Sequence, residues 1–146
     1  MIDNEDGIVL DHTIEEGNPP DAPQLAPAIA RITQRTRTAP SKVTADRGYG
    51  EAKVDQDLHD LGVKTVAIPR KGQPGAARRA TEHSRVFRDL IKWRTGAEGR
   101  ISHLKHRYGW ARSGMDGRER TEIWCGHGIL AHNLVEITRL ATTEGA

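Results

Sequence analysis

Apolar positions along the chain switch between period two and period 3.6, and the switches predict alternating strands and helices. Ile8 to Ile14 ("IVLDHTI") is rich in β-branched residues and follows "DNEDG", whose Asp6-Gly7 pair is a hairpin signal. Met1 to Asp3 then reads as the stub of a preceding strand. "EGNPPDAP" breaks the pattern. From Asp21, read as an N-cap, Leu25, Ala28, Ile29 and Ile32 recur at helical spacing, with Pro23 in a first turn that tolerates it. This helix is expected to stop before Pro40. Lys42 to Asp46 ("KVTAD") is the next strand, and Val54, Leu58 and Leu61 mark one face of a helix that Gly62 ends. Lys64 to Ile68 ("KTVAI") is a further strand. After it comes a Gly-, Pro- and Arg-rich stretch, Pro69 to Thr81, read as a loop. Helical patterning resumes near Ser84, runs with interruptions to about Tyr108, and returns from Glu119 to Leu140. In that last helix Ile123, Leu130, Leu134 and Ile137 form an apolar stripe, expected in the core.

Strand, helix, strand, helix, strand implies parallel crossover units, and ligands gather at the carboxyl ends of such strands. Asp46 sits at one of those ends, followed directly by Arg47, Gly48 and Tyr49. The 146 residues are enough for one domain with a core. One cysteine, Cys125, excludes an internal disulfide framework and fits a reducing compartment. No apolar run has the roughly 18 residues of a membrane-spanning helix, and Asp3, Glu5 and Asp6 stand where a signal peptide would be basic. The expectation is a cytoplasmic chain with no membrane partner.

Charge changes the picture more than composition does. The net charge is only +2, yet residues 64–112 hold thirteen Lys/Arg against three Asp/Glu, whereas residues 1–63 hold six against twelve. A block this basic is an electrostatic footprint for a polyanion, the alternative being a solvated face without a partner. Within it lies "KWRTGAEGRISHLKHRYGW", Lys92 to Trp110, where Arg94, Glu98, Ile101 and Lys105 share one helical face. Glu98 is the only acid between Asp89 and Asp116. It reads either as a metal-reaching carboxylate or as half of an ordinary Arg94–Glu98 surface pair. Gly96 and Gly99 beside it each cost about 1 kcal/mol in a helix interior, so close approach of another backbone or of nucleic acid is expected there.

Asp46 in "ADRGYG", with Arg94, Glu98 and Lys105 in "RTGAEGRISHLK", resembles the second half of a DDE transposase of bacterial insertion sequences. The likeness runs from about Gly7 to Leu140 and includes "GNPPDAP" and "GILAHNLVEI". Where the family often carries a Tyr three residues before the Arg, this chain has Ile91. The resemblance implies an α/β, ribonuclease-H-like fold and Mg²⁺-dependent DNA strand cleavage and transfer. Two Mg²⁺ ions about 3.5–4 Å apart would stabilise the attacking and leaving oxygens, with Asp46 and Glu98 among their carboxylate ligands. Arg94 and Lys105 would hold phosphates, the Arg as a fork and the Lys as a point charge. Arg47, Arg78, Arg79 and Arg100 extend the expected DNA contact, and Tyr49 is either a DNA contact or strand-end packing.

The resemblance also implies what is missing. The family's first catalytic Asp lies on a strand upstream of the hairpin, and Asp3 and Asp6, read as turn residues, and Asp11, mid-strand, stand at the wrong positions for it. The chain is accordingly expected to be a partial catalytic domain over residues 1–146, lacking the first strand and most of the second. Its parts would be a sheet region at 7–68, a basic loop at 69–83 and a helical C-terminal half at 84–142. Such a fragment would be inactive alone. It would either complete its site with a separately supplied segment or act as a non-catalytic module that binds DNA, another copy or intact transposase. Without its central neighbour, "KVTAD" would be left with an open edge or would pair directly with "IVLDHTI". His103, His106, His127 and His132 lack the companions of a zinc set, and Cys125 reads as a small buried hydrophobe.

Overall fold

The computed structural model describes residues 1–17 and 19–144, and of Ala97, Glu98 and Glu144 the backbone only. It is a mixed α/β structure of four short strands and five helices in two compact units. The first unit comprises Met1–Pro19 and Ala97–Ala146, the second Pro20–Gly96.

In the first unit, β1 (Ile2–Asp3) and β2 (Val9–Asp11) form the expected antiparallel hairpin. Its turn is closed by the Asn4 side chain, whose Oδ1 accepts the Asp6 and Ile8 N–H groups at 3.1 and 2.9 Å, and Gly7 takes φ +83°. Asp3 thus ends a strand and is no turn residue. β2 is shorter than the run of β-branched residues suggested, and its first residue is met by α5 (Arg118–Glu144). Asn133 accepts the Val9 N–H at Oδ1 and donates from Nδ2 to the Val9 carbonyl, both at 2.9 Å, so one side chain does the work of a neighbouring strand. His132, almost fully buried, places Nε2 2.9 Å from the Gly7 carbonyl oxygen. The core here is Val9, Leu104 and Ile129, flanked by Met1, Tyr108 and Trp110.

The face of α5 that packs carries Cys125, Ile129 and His132. The stripe expected in the core is turned outward instead: Ile123, Leu130, Leu134 and Ile137 are 52–57% exposed. Hydrophobic spacing alone does not say which of two apolar faces meets the rest of the chain, and here the hydrogen bonds of His132 and Asn133 decide it.

In the second unit, α1 (Ala22–Thr36) buries Ala22, Leu25, Ala28, Ile29 and Ile32 and ends at Arg37 in the left-handed region, φ 59°. β3 (Lys42–Thr44), α2 (Ala52–Asp60) and β4 (Thr65–Ala67) make one parallel crossover unit, with Val43 opposite Val66 and the Thr44 hydroxyl donating to the Ala67 carbonyl at 2.8 Å. Val54, Leu58, Val63, Val66 and Ile68 fill its interior. The single sheet expected from the strand order is absent among the described residues. Within the first unit β1 and β2 form one sheet, and within the second β3 and β4 form another.

The stretch read as a basic loop contains a helix, α3 (Ala76–Glu82), anchored by Asp55 on α2 and by its own last residue, Glu82. Asp55, buried on α2, takes Arg70 at 2.8 Å and Arg78 at 2.7 Å on the same oxygen. Glu82 accepts the Arg70 backbone N–H at 2.9 Å and Arg78 Nε at 3.0 Å, and Arg78 lies over the Phe87 ring. Burial pushes the Glu82 carboxyl up, but the two hydrogen bonds and the charges of Arg78 and Arg70 together hold it below its ordinary 4.5. A carboxyl lowered in the folded state contributes stability that is present above its unfolded pKa and is lost as pH falls through the lower folded value. Urea midpoints should therefore drop below pH 4.5, the ordinary Glu82 value, and Glu82→Gln should flatten that part of the profile. An identical acid limb in both proteins would show that Glu82 is not a source of the acid sensitivity.

Helix α4 (Arg85–Arg107) is continuous where interruptions were expected, and the division between the two units falls inside it, after Gly96.

Candidate functional site: an acidic turn and a basic helix

Asp46 leaves the carboxyl end of β3 and caps a single 3₁₀ turn, Arg47–Tyr49. Its Oδ1 accepts the Gly48 N–H at 2.6 Å, which fixes the carboxylate while the residue stays exposed. A Cβ on Gly48 would lie 2.7 Å from Asp46 Oδ1 and 3.0 Å from Asp21 Oδ2, so both carboxylate ends face this residue. Two carboxylates therefore converge on one glycine.

Asp21 is the residue that sequence reasoning placed in another role. An N-cap side chain bonds the N–H of the second or third helical residue. Here the second is Pro23, which has none, and the third, Gln24, donates to the Asp21 backbone carbonyl at 3.0 Å. Asp21 makes no side-chain cap bond, and its carboxylate faces Gly48. The Pro two residues downstream was the available signal. Tyr49 reports the same clustering: burial first, then the charges of Asp21 and Asp46, push its phenol above the ordinary 10.0. Hard oxygens and accumulated negative charge suit a divalent cation of the Mg²⁺ type. Among the described residues, no group of three or more His, Cys, Asp or Glu is gathered for a metal.

Gly50 joins this turn to the end of β4. It donates no space to a side chain, since a Cβ would sit 1.9 Å from the Pro69 carbonyl oxygen, and its own carbonyl accepts the Lys71 N–H at 2.8 Å.

The second candidate group lies on α4. Arg94, Glu98 and Lys105 all belong to this one helix, so the spacing read from the sequence is a helical spacing in the structure. Glu98 falls in the first unit and Asp46 in the second. The Glu98 side chain lies outside the described residues. Arg94 is half-buried and Lys105 exposed. At Gly99 no atom of the described residues outside its own stretch of helix comes within 4 Å of where a Cβ would be.

The remaining basic candidates divide sharply. Arg79 is exposed, and Arg47 is exposed with one guanidinium nitrogen donating to the Gly72 carbonyl at 2.9 Å. Arg78, expected at a phosphate, is turned inward: its three nitrogens donate to Glu82, Asp55 and the Ile68 carbonyl. Arg100 is ion-paired with Asp3, which explains both that acid and that base as partners of one another. Counting charge cannot see either pairing, because the partners lie 23 and 97 residues apart in sequence. Cys125 is buried and burial raises its thiol pKa, as suits an inert hydrophobe.

The family profile of the transposase DDE domain matches residues 1–134. The chain belongs to that family. No curated protein and no solved structure gives a match. Membership makes this a transposase chain, of a family that acts in transposition, binds DNA and generally uses a divalent metal. No described helix of this DDE chain is long and apolar enough to cross a membrane.

Proposed function

We propose that this DDE chain supplies two metal-binding carboxylates, Asp46 and Glu98, to a ribonuclease-H-like site for Mg²⁺-dependent DNA strand cleavage and transfer. The observation that carries the reading is the exposed Asp46 carboxylate at the carboxyl end of a parallel strand, held at Oδ1 by the Gly48 N–H in a chain whose family match covers residues 1–134. The Asp21 charge beside it adds to the potential that would attract a cation. When bound, the metal would polarise the phosphodiester and stabilise the oxygens gaining charge. Arg94 and Lys105 would clamp the flanking phosphates, Arg79 and Arg47 would extend the contact, and Tyr49 would border it. Arg78 and Arg100 are left to structural duties.

The same reading makes the chain inactive by itself. Asp3 is taken by Arg100 and Asp6 sits in the hairpin turn bonded to Asn4, so neither supports a third metal ligand. The further carboxylate would come from a separately supplied transposase segment. Nicking of a supercoiled plasmid carrying the element ends tests this. The chain alone with Mg²⁺ should bind the DNA without cutting. Adding a transposase segment that carries the family's first Asp should restore nicking, and Asp46→Asn or Glu98→Gln should return it to the no-protein background with binding retained. Restored nicking that survives Glu98→Gln would overturn the assignment, as would nicking by the chain alone. Binding that never gives rise to nicking would make the chain a DNA-binding module.

A further inference from the structure

The three side-chain nitrogens of Arg78 end on three separate parts of the second unit. Nη2 donates to the Ile68 carbonyl at 2.5 Å, Nη1 to Asp55 Oδ2 on α2 at 2.7 Å, and Nε to Glu82 Oε1 on α3 at 3.0 Å. The Phe87 ring lies under the guanidinium, 5.7 Å from Cζ to the ring centroid. A planar fork with every nitrogen on the protein fixes geometry, and an ammonium in its place would reach one acceptor at a time. Because α3 buries no residue, what this short helix contributes is the reach of Arg78 and Glu82.

Two of the same acceptors also hold Arg70. Asp55 Oδ2 takes its Nη2 at 2.8 Å, and Glu82 Oε1 takes its backbone N–H at 2.9 Å. Residues 68 and 70 are thus both tied to groups that Arg78 gathers, and only Pro69 lies between them. Pro69 sets its carbonyl against Gly50, where a Cβ would be 1.9 Å from the oxygen, and the next residue, Lys71, donates its N–H to the Gly50 carbonyl at 2.8 Å. Gly50 in turn donates to the Arg47 carbonyl at 3.0 Å and closes the 3₁₀ turn that Asp46 caps. Every link from Arg78 to Asp46 is a hydrogen bond or a backbone packing contact, and all of them lie within Pro20–Gly96.

We propose that Arg78 is a positioning residue for Asp46, holding Ile68 to Arg70 so that Pro69 backs the turn that presents the Asp46 carboxylate. The proposal rests on the reading of Asp46 as a metal-binding carboxylate. Asp46 is then set from two directions: the Gly48 N–H fixes Oδ1 inside the turn, and Arg78 fixes the turn against the end of β4. It also gives an arginine of the basic stretch a part in the chemistry that does not require it to touch DNA.

Arg78→Lys in the full chain, which keeps the charge and loses the fork, is the test. In amide ¹H–¹⁵N spectra of the metal-free chain, the Gly48, Gly50 and Lys71 resonances should move, with Gly48 losing the deshielding of its 2.6 Å bond to Asp46, while Ile29 and Ile32 in α1 stay in place. In the complemented nicking reaction the variant should lower kcat by up to about 100-fold, as a misplaced group does, with KM for DNA unchanged. Should Arg78→Lys fail to fold, Glu82→Ala, which frees the Arg70 N–H and Arg78 Nε but leaves Asp55, should move the same amides. Amides that keep their wild-type positions in the folded variant would overturn the proposal, because a purely structural arginine costs stability without moving the turn. A raised KM with kcat retained would overturn it in favour of a phosphate contact. Nicking that survives Asp46→Asn is a separate failure, that of the Asp46 reading itself.

Discussion

Asp55→Ala should destabilise Pro20–Gly96 by about 3–5 kcal/mol, the range for removing one partner of a buried charge network. The Asp55 side chain is 11% exposed, and those of Arg70 and Arg78 are 21% and 18% exposed. One carboxylate oxygen, Oδ2, receives both guanidinium groups, and Oδ1 has no hydrogen-bond partner among the described residues. Alanine therefore leaves two cations in a poorly solvated place with only Glu82 to balance them. α3 depends on this network more than on burial, because none of its residues is buried. The matched control is Asp57→Ala on the same helix. Asp57 pairs with Lys53 at 2.8 Å, but that lysine side chain is 80% exposed, so the loss should stay below about 1 kcal/mol. Urea unfolding monitored by circular dichroism measures both. Equal shifts for the two variants would show that the Asp55 network carries no special weight.

That network shows where sequence reading ran out. The helices α1 and α2 and the strands β3 and β4 were legible because their signals are local: apolar spacing, Pro23 in a first turn, Gly62 with φ +93° after α2. Asp46 at a strand end was legible for the same reason. The fate of the basic residues was not, since Arg78 meets Asp55 across 23 positions and the count of charges in a window is blind to such partners. The sheet was misjudged at even longer range. Val9 satisfies its outward N–H and C=O with Asn133, 124 residues away, and β2 needs no strand there. The apolar stripe of α5 was read correctly as a stripe and placed on the wrong side, because an outward stripe and a core stripe share one pattern. Arg94, Glu98 and Lys105 were legible as one helical face, and α4 carries them on one helix.

Gly50→Ala should be the substitution that most directly couples stability to the candidate site. Gly50 has φ −76° and ψ 46°, so no left-handed conformation calls for glycine there. Space is the reason. The added Cβ would lie 1.9 Å from the Pro69 carbonyl oxygen and 3.0 Å from the Lys71 nitrogen, both backbone atoms that no side-chain rotation can move aside. Either the Asp46 turn or the segment after β4 must shift, which costs about 1–3 kcal/mol or more, as overpacking does. The same shift strains the Lys71 N–H to Gly50 carbonyl bond, now 2.8 Å, and carries Asp46 with it, since Asp46 caps the 3₁₀ turn that Gly50 closes. The variant should thus lose urea resistance and, in a complemented nicking reaction, lose activity beyond what its unfolded fraction explains. Gly99→Ala is the control of opposite sign: nothing lies within 4 Å of its Cβ, and alanine in a helix interior should stabilise by up to about 1 kcal/mol. If Gly50→Ala unfolds at the wild-type urea concentration, the contact between the Asp46 turn and the Pro69–Lys71 segment does not hold the site in place.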